Sequence, residues 1–131
     1  MMVENDIYIH AYDVDAMGIV SNIVYIRWFE DMRHLFLDKY CPYTEMMREG
    51  KSPILMKTEV EYKMPLTLYD APRARTWMAE AGGSRWVMEF EIFTGNLLHC
   101  RGRQTGCFYD VARKRPIPLP ERLKKRYDDE A

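Results

Sequence analysis

The stretch Asp13–Arg33, DVDAMGIVSNIVYIRWFEDMR, sets two carboxylates and a glycine directly ahead of a run with helical period. Asp and Gly interrupt any period as far as Gly18, so that part reads as a loop with an Asx-type turn. From about Val20 to Tyr40 the pattern becomes helical. On a helical wheel Arg27, Asp31, His34 and Asp38 form one narrow polar stripe, with Tyr25, Phe29, Met32 and Phe36 opposite it. Trp28, Ile26, Leu35 and Leu37 widen the apolar arc, which predicts a helix covered on most of its sides. Arg33 falls inside that arc, where a charge is costly unless paired, and Glu30 one turn away is its expected partner. Pro42 ends the helix, and TEMMREG adds one further turn closed by Gly50.

Outward from the helix the period changes to two. In ILMKTEVEYKM, Ile54, Met56, Thr58, Val60, Tyr62 and Met64 share one face, and Lys57, Glu59, Glu61 and Lys63 share the other. SRWVMEFEIF repeats the alternation, with Trp86, Met88, Phe90 and Ile92 against Arg85, Glu89 and Glu91. PRARTWMAEA is a strand between these two, and AGGS is a hairpin turn by composition. LLHCRGRQTGCFYD is a fourth long strand. It sets Cys100, Gly102, Gln104, Gly106 and Phe108 on one face, Arg101, Arg103 and Thr105 on the other. Two glycines on one face predict close approach by another backbone. On the N-terminal side, Ile7–His10 reads as a short first strand. On the C-terminal side, RKRPIPLP leaves the sheet and ERLKKRYDDEA forms a short charged helix or tail. The whole is an α+β fold in one domain, residues 1–131, with a curled antiparallel sheet around a long central helix.

Composition narrows the function classes. With 131 residues the chain can bury a real core without staples, and 47% apolar with 30% charged residues describes a globular protein. A formal charge of −1 argues against a general nucleic-acid binder. No apolar run has the length of a membrane span or a signal peptide, so a cytoplasmic location is expected. Cys41, Cys100 and Cys107 have no metal-ligand spacing and are read as reduced, structural thiols, Cys100 and Cys107 facing opposite sides of their strand. HExxH, CxxC, GxGxxG and phosphate-loop patterns are absent, so neither metal nor cofactor is implied.

Asp13, Asp15, Gly18, Val20, Asn22, Tyr25, Arg27, Trp28, Glu30 and Arg33 stand at a spacing that resembles the 4-hydroxybenzoyl-CoA thioesterase-like group of hotdog-fold acyl-CoA thioesterases. FYDVARKRPIPLP is similar to the group's last strand and its exit. Ile19 stands where many relatives carry His, and Ser21 where many carry Asn or Tyr. Asn22 stands where those associated with the Tol–Pal system often carry His. The resemblance implies a single hotdog domain that hydrolyses an acyl-CoA, or an acyl carrier protein thioester. It also implies a homodimer or homotetramer, with the acyl pocket between protomers.

Thioester hydrolysis needs an activated nucleophile and a place for charge on the carbonyl oxygen. The leaving thiol has a pKa of roughly 8–9, so no strong general acid is required. The resemblance implies Asp15 as the carboxylate, either attacking the carbonyl or holding a water as general base. The unpaired N–H groups at the helix start, near Ser21 and Asn22, are the expected oxyanion donors, with Gly18 and Tyr25 beside them. Asp13 reads as a turn or cap residue, and His34 and His99 as surface residues; His10 lies near the proposed site. Arg101 and Arg103 are candidates for the CoA phosphates, as are Arg113, Lys114 and Arg115, against a plain reading as solvated charge. Two other readings compete. One is a hotdog hydratase or dehydratase, whose His-plus-carboxylate motif is not found here; the other is a non-catalytic acyl-thioester binding protein.

Overall fold

A computed structural model describes residues 1–130. Strand β1 (Met2–Asp6) precedes a single 3-10 turn at Ala11–Asp13, helix α1 (Asn22–Tyr40) and the short helix α2 (Tyr43–Arg48). The strands β2 (Lys51–Tyr62), β3 (Arg73–Gly82), β4 (Arg85–Thr94) and β5 (Leu97–Asp110) follow, then β6 (Arg115–Ile117) and helix α3 (Glu121–Glu130). All pairings are antiparallel, in the order β1-β3-β4-β5-β2, with β6 beside the end of β5. The sheet curls around α1 as the sequence leads one to expect, giving the hotdog fold.

Alternation decides which residues meet the helix. Trp86, Met88, Phe90 and Ile92 of β4 and Cys100, Gln104 and Phe108 of β5 are all buried on the concave face. Phe29, fully buried at the middle of α1, stacks on Phe90 with ring centroids 4.7 Å apart. Gly102 makes that contact possible, because a Cβ there would overlap the Phe29 ring. Gly106 serves two neighbours, since a Cβ would meet both the Ile54 carbonyl and the Trp86 indole. Close approach at the two glycines therefore involves aromatic rings as well as the expected backbone. The polar stripe of Arg27, Asp31, His34 and Asp38 faces water.

Four local expectations are corrected. The first strand is Met2–Asp6 rather than Ile7–His10. It runs along β3 from Met2 opposite Trp77 to Asp6 opposite Arg73. The ladder stops there because the next partner is Pro72, which accepts from the Ile7 N–H at 2.9 Å but has no N–H to return. In β2 the alternation is broken by a bulge. Leu55 pairs with Gly106 and Lys57 with Thr105, leaving Met56 as the extra residue. Leu55 therefore packs against the core while Ile54 and Met56 are exposed, and only beyond the bulge do Thr58 and Val60 turn inward as expected. RKRPIPLP does not leave the sheet at once: Arg115–Ile117 returns to pair with Phe108–Asp110. Its proline is tolerated because β6 is a marginal strand at the sheet border. Finally, His99 is not a surface residue. It is buried, with its ring between the Thr94 hydroxyl at 2.7 Å and the Met64 carbonyl at 3.0 Å.

Helix α3 docks through Leu123, which is buried, and through Tyr127, whose hydroxyl donates to the Ala79 carbonyl at 3.1 Å. Its remaining surface is charged and paired along the helix, Lys124 with Asp128 and Arg126 with Glu130.

Candidate active site

The loop ahead of α1 is a small hairpin fixed to the chain after β2. Val14 bridges Val20, Ile19 bridges Thr67, and the Val20 N–H donates to the Leu66 carbonyl at 2.8 Å. Asp15 closes its tip. The Asp15 amide donates to the Ile19 carbonyl at 2.9 Å, and the Gly18 amide returns to the Asp15 carbonyl at 3.0 Å. Gly18 has φ +79°, the left-handed region that this reversal needs and that glycine enters without strain. One carboxylate oxygen of Asp15, Oδ1, accepts the Met17 N–H at 2.8 Å and the Ile19 N–H at 3.4 Å. The other, Oδ2, has no hydrogen-bond donor among the described residues, and Asp15 is exposed.

Asp13, two residues earlier, is in the opposite situation. It is buried, its carboxylate accepts the His10 N–H at 2.9 Å, and His10 Nδ1 lies 3.4 Å away. The His10 ring is itself held between Tyr8 and Tyr12, with centroids 4.7 Å from each. The Asp13 carbonyl then accepts the Ser21 N–H at 2.9 Å. Asp13 is thus the turn residue that ties the loop to the helix entry.

Ser21 is the N-cap of α1, in an extended conformation and with no cap bond from its hydroxyl. Because its N–H serves Asp13, Ser21 is spent as an amide donor. The Val24 N–H bonds back to the Ser21 carbonyl at 3.0 Å. The Asn22 and Ile23 amides have no acceptor among the described residues, as expected for the first turn of a helix. They carry the positive end of a 19-residue helix dipole.

Beside these amides lies a recess of about 250 Å³ walled by Ile19, Val20, Asn22, Tyr25, Tyr62, Lys63, Met64 and Pro65. Of the sequence candidates it brings Asn22 and Tyr25 together. Asp15, Gly18 and Ser21 lie on the adjoining loop and are not in its walls. Tyr25 is buried, edge-on to Trp28 and to Tyr62, and burial pushes its phenol up to about 12, with nearby Cys100 adding and the Leu66 amide opposing. Cys100 is likewise pushed up to about 12 by burial, with Glu61 adding. Neither group ionises near neutral pH, so neither offers a nucleophile.

A larger groove lies elsewhere. About 540 Å³ opens between Asn5–Tyr12 and α1, rimmed by Asp6, Asp13, Glu30 and Asp31. Four carboxylates against one arginine, Arg27, make it a poor host for phosphates. Arg101 and Arg103 lie on the convex face of β5, each within a ladder of glutamates. Arg103 donates to Glu89 at 3.1 Å and to Glu80 at 3.2 Å, and Arg101 lies 3.6 Å from Glu91. Among the described residues no His, Cys, Asp and Glu cluster is suited to a metal, and no helix is long and apolar enough to cross a membrane.

Tyr62 is the site residue that sequence reasoning missed. Its place in the inward set of β2 was readable, but its hydroxyl contact with Asn22 joins residues forty apart in sequence.

Residues 9–127 match the model of the thioesterase-like superfamily. The chain belongs to that family, and by that membership it is a thioester hydrolase. A protein of Aquifex aeolicus (strain VF5) named "Putative esterase" is 27% identical over 111 residues, 84% of this chain and 87% of that one. The same fold is seen in the DHNA-CoA thioesterase of Staphylococcus aureus, with TM-score 0.84 and 21% identity over 98% of this chain and 88% of that one. A hypothetical protein of Staphylococcus aureus in complex with CoA superposes with TM-score 0.90 at 11% identity, covering 98% of this chain and 83% of that one.

Proposed function

We propose that this enzyme hydrolyses an acyl-CoA thioester to the free acid and CoA, with Asp15 as the catalytic carboxylate and the Asn22 N–H as the oxyanion donor. The observation that carries the reading is an exposed carboxylate with one oxygen unbonded, on a loop leading directly into helix amides without acceptors. Asp15 acts by one of two balanced routes. As general base it takes a proton from water while the water oxygen bonds to the carbonyl carbon. As nucleophile it bonds to that carbon itself, giving a mixed anhydride that water then opens. Either way the C–S bond breaks and the thiolate leaves without needing a strong acid. The Ser21 amide, already bonded to Asp13, drops out as a donor, and Ile23 stands beside Asn22 in its place. Gly18 allows the loop to turn, and Tyr25 with Tyr62 walls the acyl end. Arg101 and Arg103 contact the CoA phosphates only by exchanging their glutamate partners.

The working unit is a homodimer or homotetramer. Strand β2 is a sheet edge of 12 residues carrying exposed Ile54 and Met56, a surface suited to pairing with a second copy. The pocket between protomers then joins the recess beside Asn22 to the partner's surface. The free thiols of Cys41, Cys100 and Cys107 accord with a cytoplasmic setting. Release of free thiol from acyl-CoAs of different chain length, aliphatic and aromatic, tests the activity. Light scattering tests the assembly, and a mass near the 15.6 kDa of one chain at micromolar protein removes the shared pocket.

A further inference from the structure

We infer that Tyr62 is a positioning residue for this hydrolysis, holding the first peptide of α1 through its hydroxyl; the inference rests on the proposed roles of Asp15 and Asn22. Tyr62 ends β2, opposite Cys100 of β5, and is two-fifths exposed. Its hydroxyl donates to the Asn22 carbonyl at 2.8 Å. Its ring meets Tyr25 edge-on, with centroids 5.3 Å apart and planes at 74°, and both rings belong to the wall of the recess.

A carbonyl in the first turn of a helix already has an acceptor's role toward the amide four residues on, so α1 does not need this second donor to form. What the extra bond does is local. It fixes the plane of the Asn22–Ile23 peptide at the end of the helix that would otherwise fray. It also draws electron density toward the carbonyl oxygen, which polarises the Ile23 N–H of the same peptide unit. Asn22 and Ile23 carry the two amides at this helix start that have no acceptor among the described residues. Donors held in place before charge develops need no rearrangement when it does. Tyr62 acts through these amides rather than on the reacting atoms. Its hydroxyl and its ring have separable tasks, the first on rate and the second on the fit of the acyl group.

Tyr62→Phe removes the hydroxyl and keeps the ring; Tyr62→Leu removes both. In a thiol-release assay on one acyl-CoA, Tyr62→Phe is expected to lower kcat about three- to tenfold, the scale of one hydrogen bond. Its KM should stay within about twofold, whereas Tyr62→Leu should raise KM as well. The melting temperature of Tyr62→Phe should stay within about 4 °C of the parent. Amide NMR gives a readout without turnover: the Ile23 N–H resonance should shift as its peptide loses the polarising bond. A wild-type kcat in Tyr62→Phe overturns the assignment. So do unchanged Asn22 and Ile23 amides, or a rate loss matched by an equal loss of folded protein. If Asp15→Asn abolishes turnover while Tyr62→Phe retains it in full, the hydrolytic reading stands and Tyr62 alone falls. A wild-type protein that turns over no acyl-CoA overturns both.

Discussion

The middle of α1 and its first turn treat polar groups in opposite ways. At the middle of the helix Arg33 donates to Glu30 and to the Gln104 side-chain oxygen, both at 2.6 Å. Gln104, fully buried, passes its amide to Thr58 at 3.3 Å. Trp86 lies alongside, its ring centroid 5.6 Å from the guanidinium carbon. Burial pulls the Arg33 guanidinium below its ordinary value, and Glu30 opposes that pull. At the first turn a carboxylate oxygen and two amides are left without partners. The difference follows from water. An unpaired polar group inside the sheet is expensive, whereas one at the open end of the helix is solvated and free to meet a substrate.

The largest expected effect breaks or keeps this contrast at the loop. Asp15→Asn retains the turn, because Asn accepts the Met17 and Ile19 amides as Asp does. Turnover should nonetheless fall roughly a hundredfold or more with folding and acyl-CoA binding intact. Asp13→Asn should do the reverse. Its rate should fall less than about tenfold, while the buried contact with His10 weakens and stability drops by about 1 kcal/mol, read from urea midpoints. Equal rates for the two variants would return Asp15 to a turn residue.

A second comparison sharpens the other end. Arg33→Ala leaves the buried Gln104 oxygen without its donor and the part-exposed Glu30 without its partner, and should cost about 3 kcal/mol. Lys57→Ala, whose pairing with Glu59 is on the surface, should cost under about 0.5 kcal/mol. Matching denaturation midpoints would mean that the Arg33 contacts to Gln104 and Glu30 add little to stability.

A further effect is in alkali. Tyr25 titrates at about 12 in the folded protein against an ordinary 10.0, and Cys100 at about 12 against 9.0. Folding favours the protonated forms, so the unfolded chain loses these protons first. The stability they contribute is complete below pH 9 and declines as pH rises from 9 toward 12. Urea midpoints should fall across that window, less steeply in Cys100→Ala from its lower end and in Tyr25→Phe from pH 10 upward.

Much of this was legible in the chain because it depends on near neighbours. The alternation of Trp86–Ile92 and of Cys100–Phe108, the two glycines on one face of β5 and the Glu30–Arg33 pair are all set by residues a few positions apart. The loop Asp13–Gly18 was equally readable, and it was the family resemblance that singled out Asp15 within it. What escaped depended on partners far along the sequence. Met56 is indistinguishable from its neighbours until β5 imposes the bulge, and β1 ends at Asp6 only because Pro72 lies across from Ile7. His99 reads as a surface residue of its strand until Met64 and Thr94 are seen to close around it.

By itself the sequence determined the long apolar helix, the alternating strands that curl around it and the carboxylates placed before its first turn, since period and spacing are local properties of the chain. The tertiary structure decided which partners hold each carboxylate and each amide at the helix start. The Ser21 amide closes on the Asp13 carbonyl, His10 covers the Asp13 carboxylate, and Tyr62 reaches across from β2 to Asn22. The Asp13 contacts are close in the chain and burial singles them out, whereas the Tyr62 contact joins residues forty apart, which no local pattern specifies.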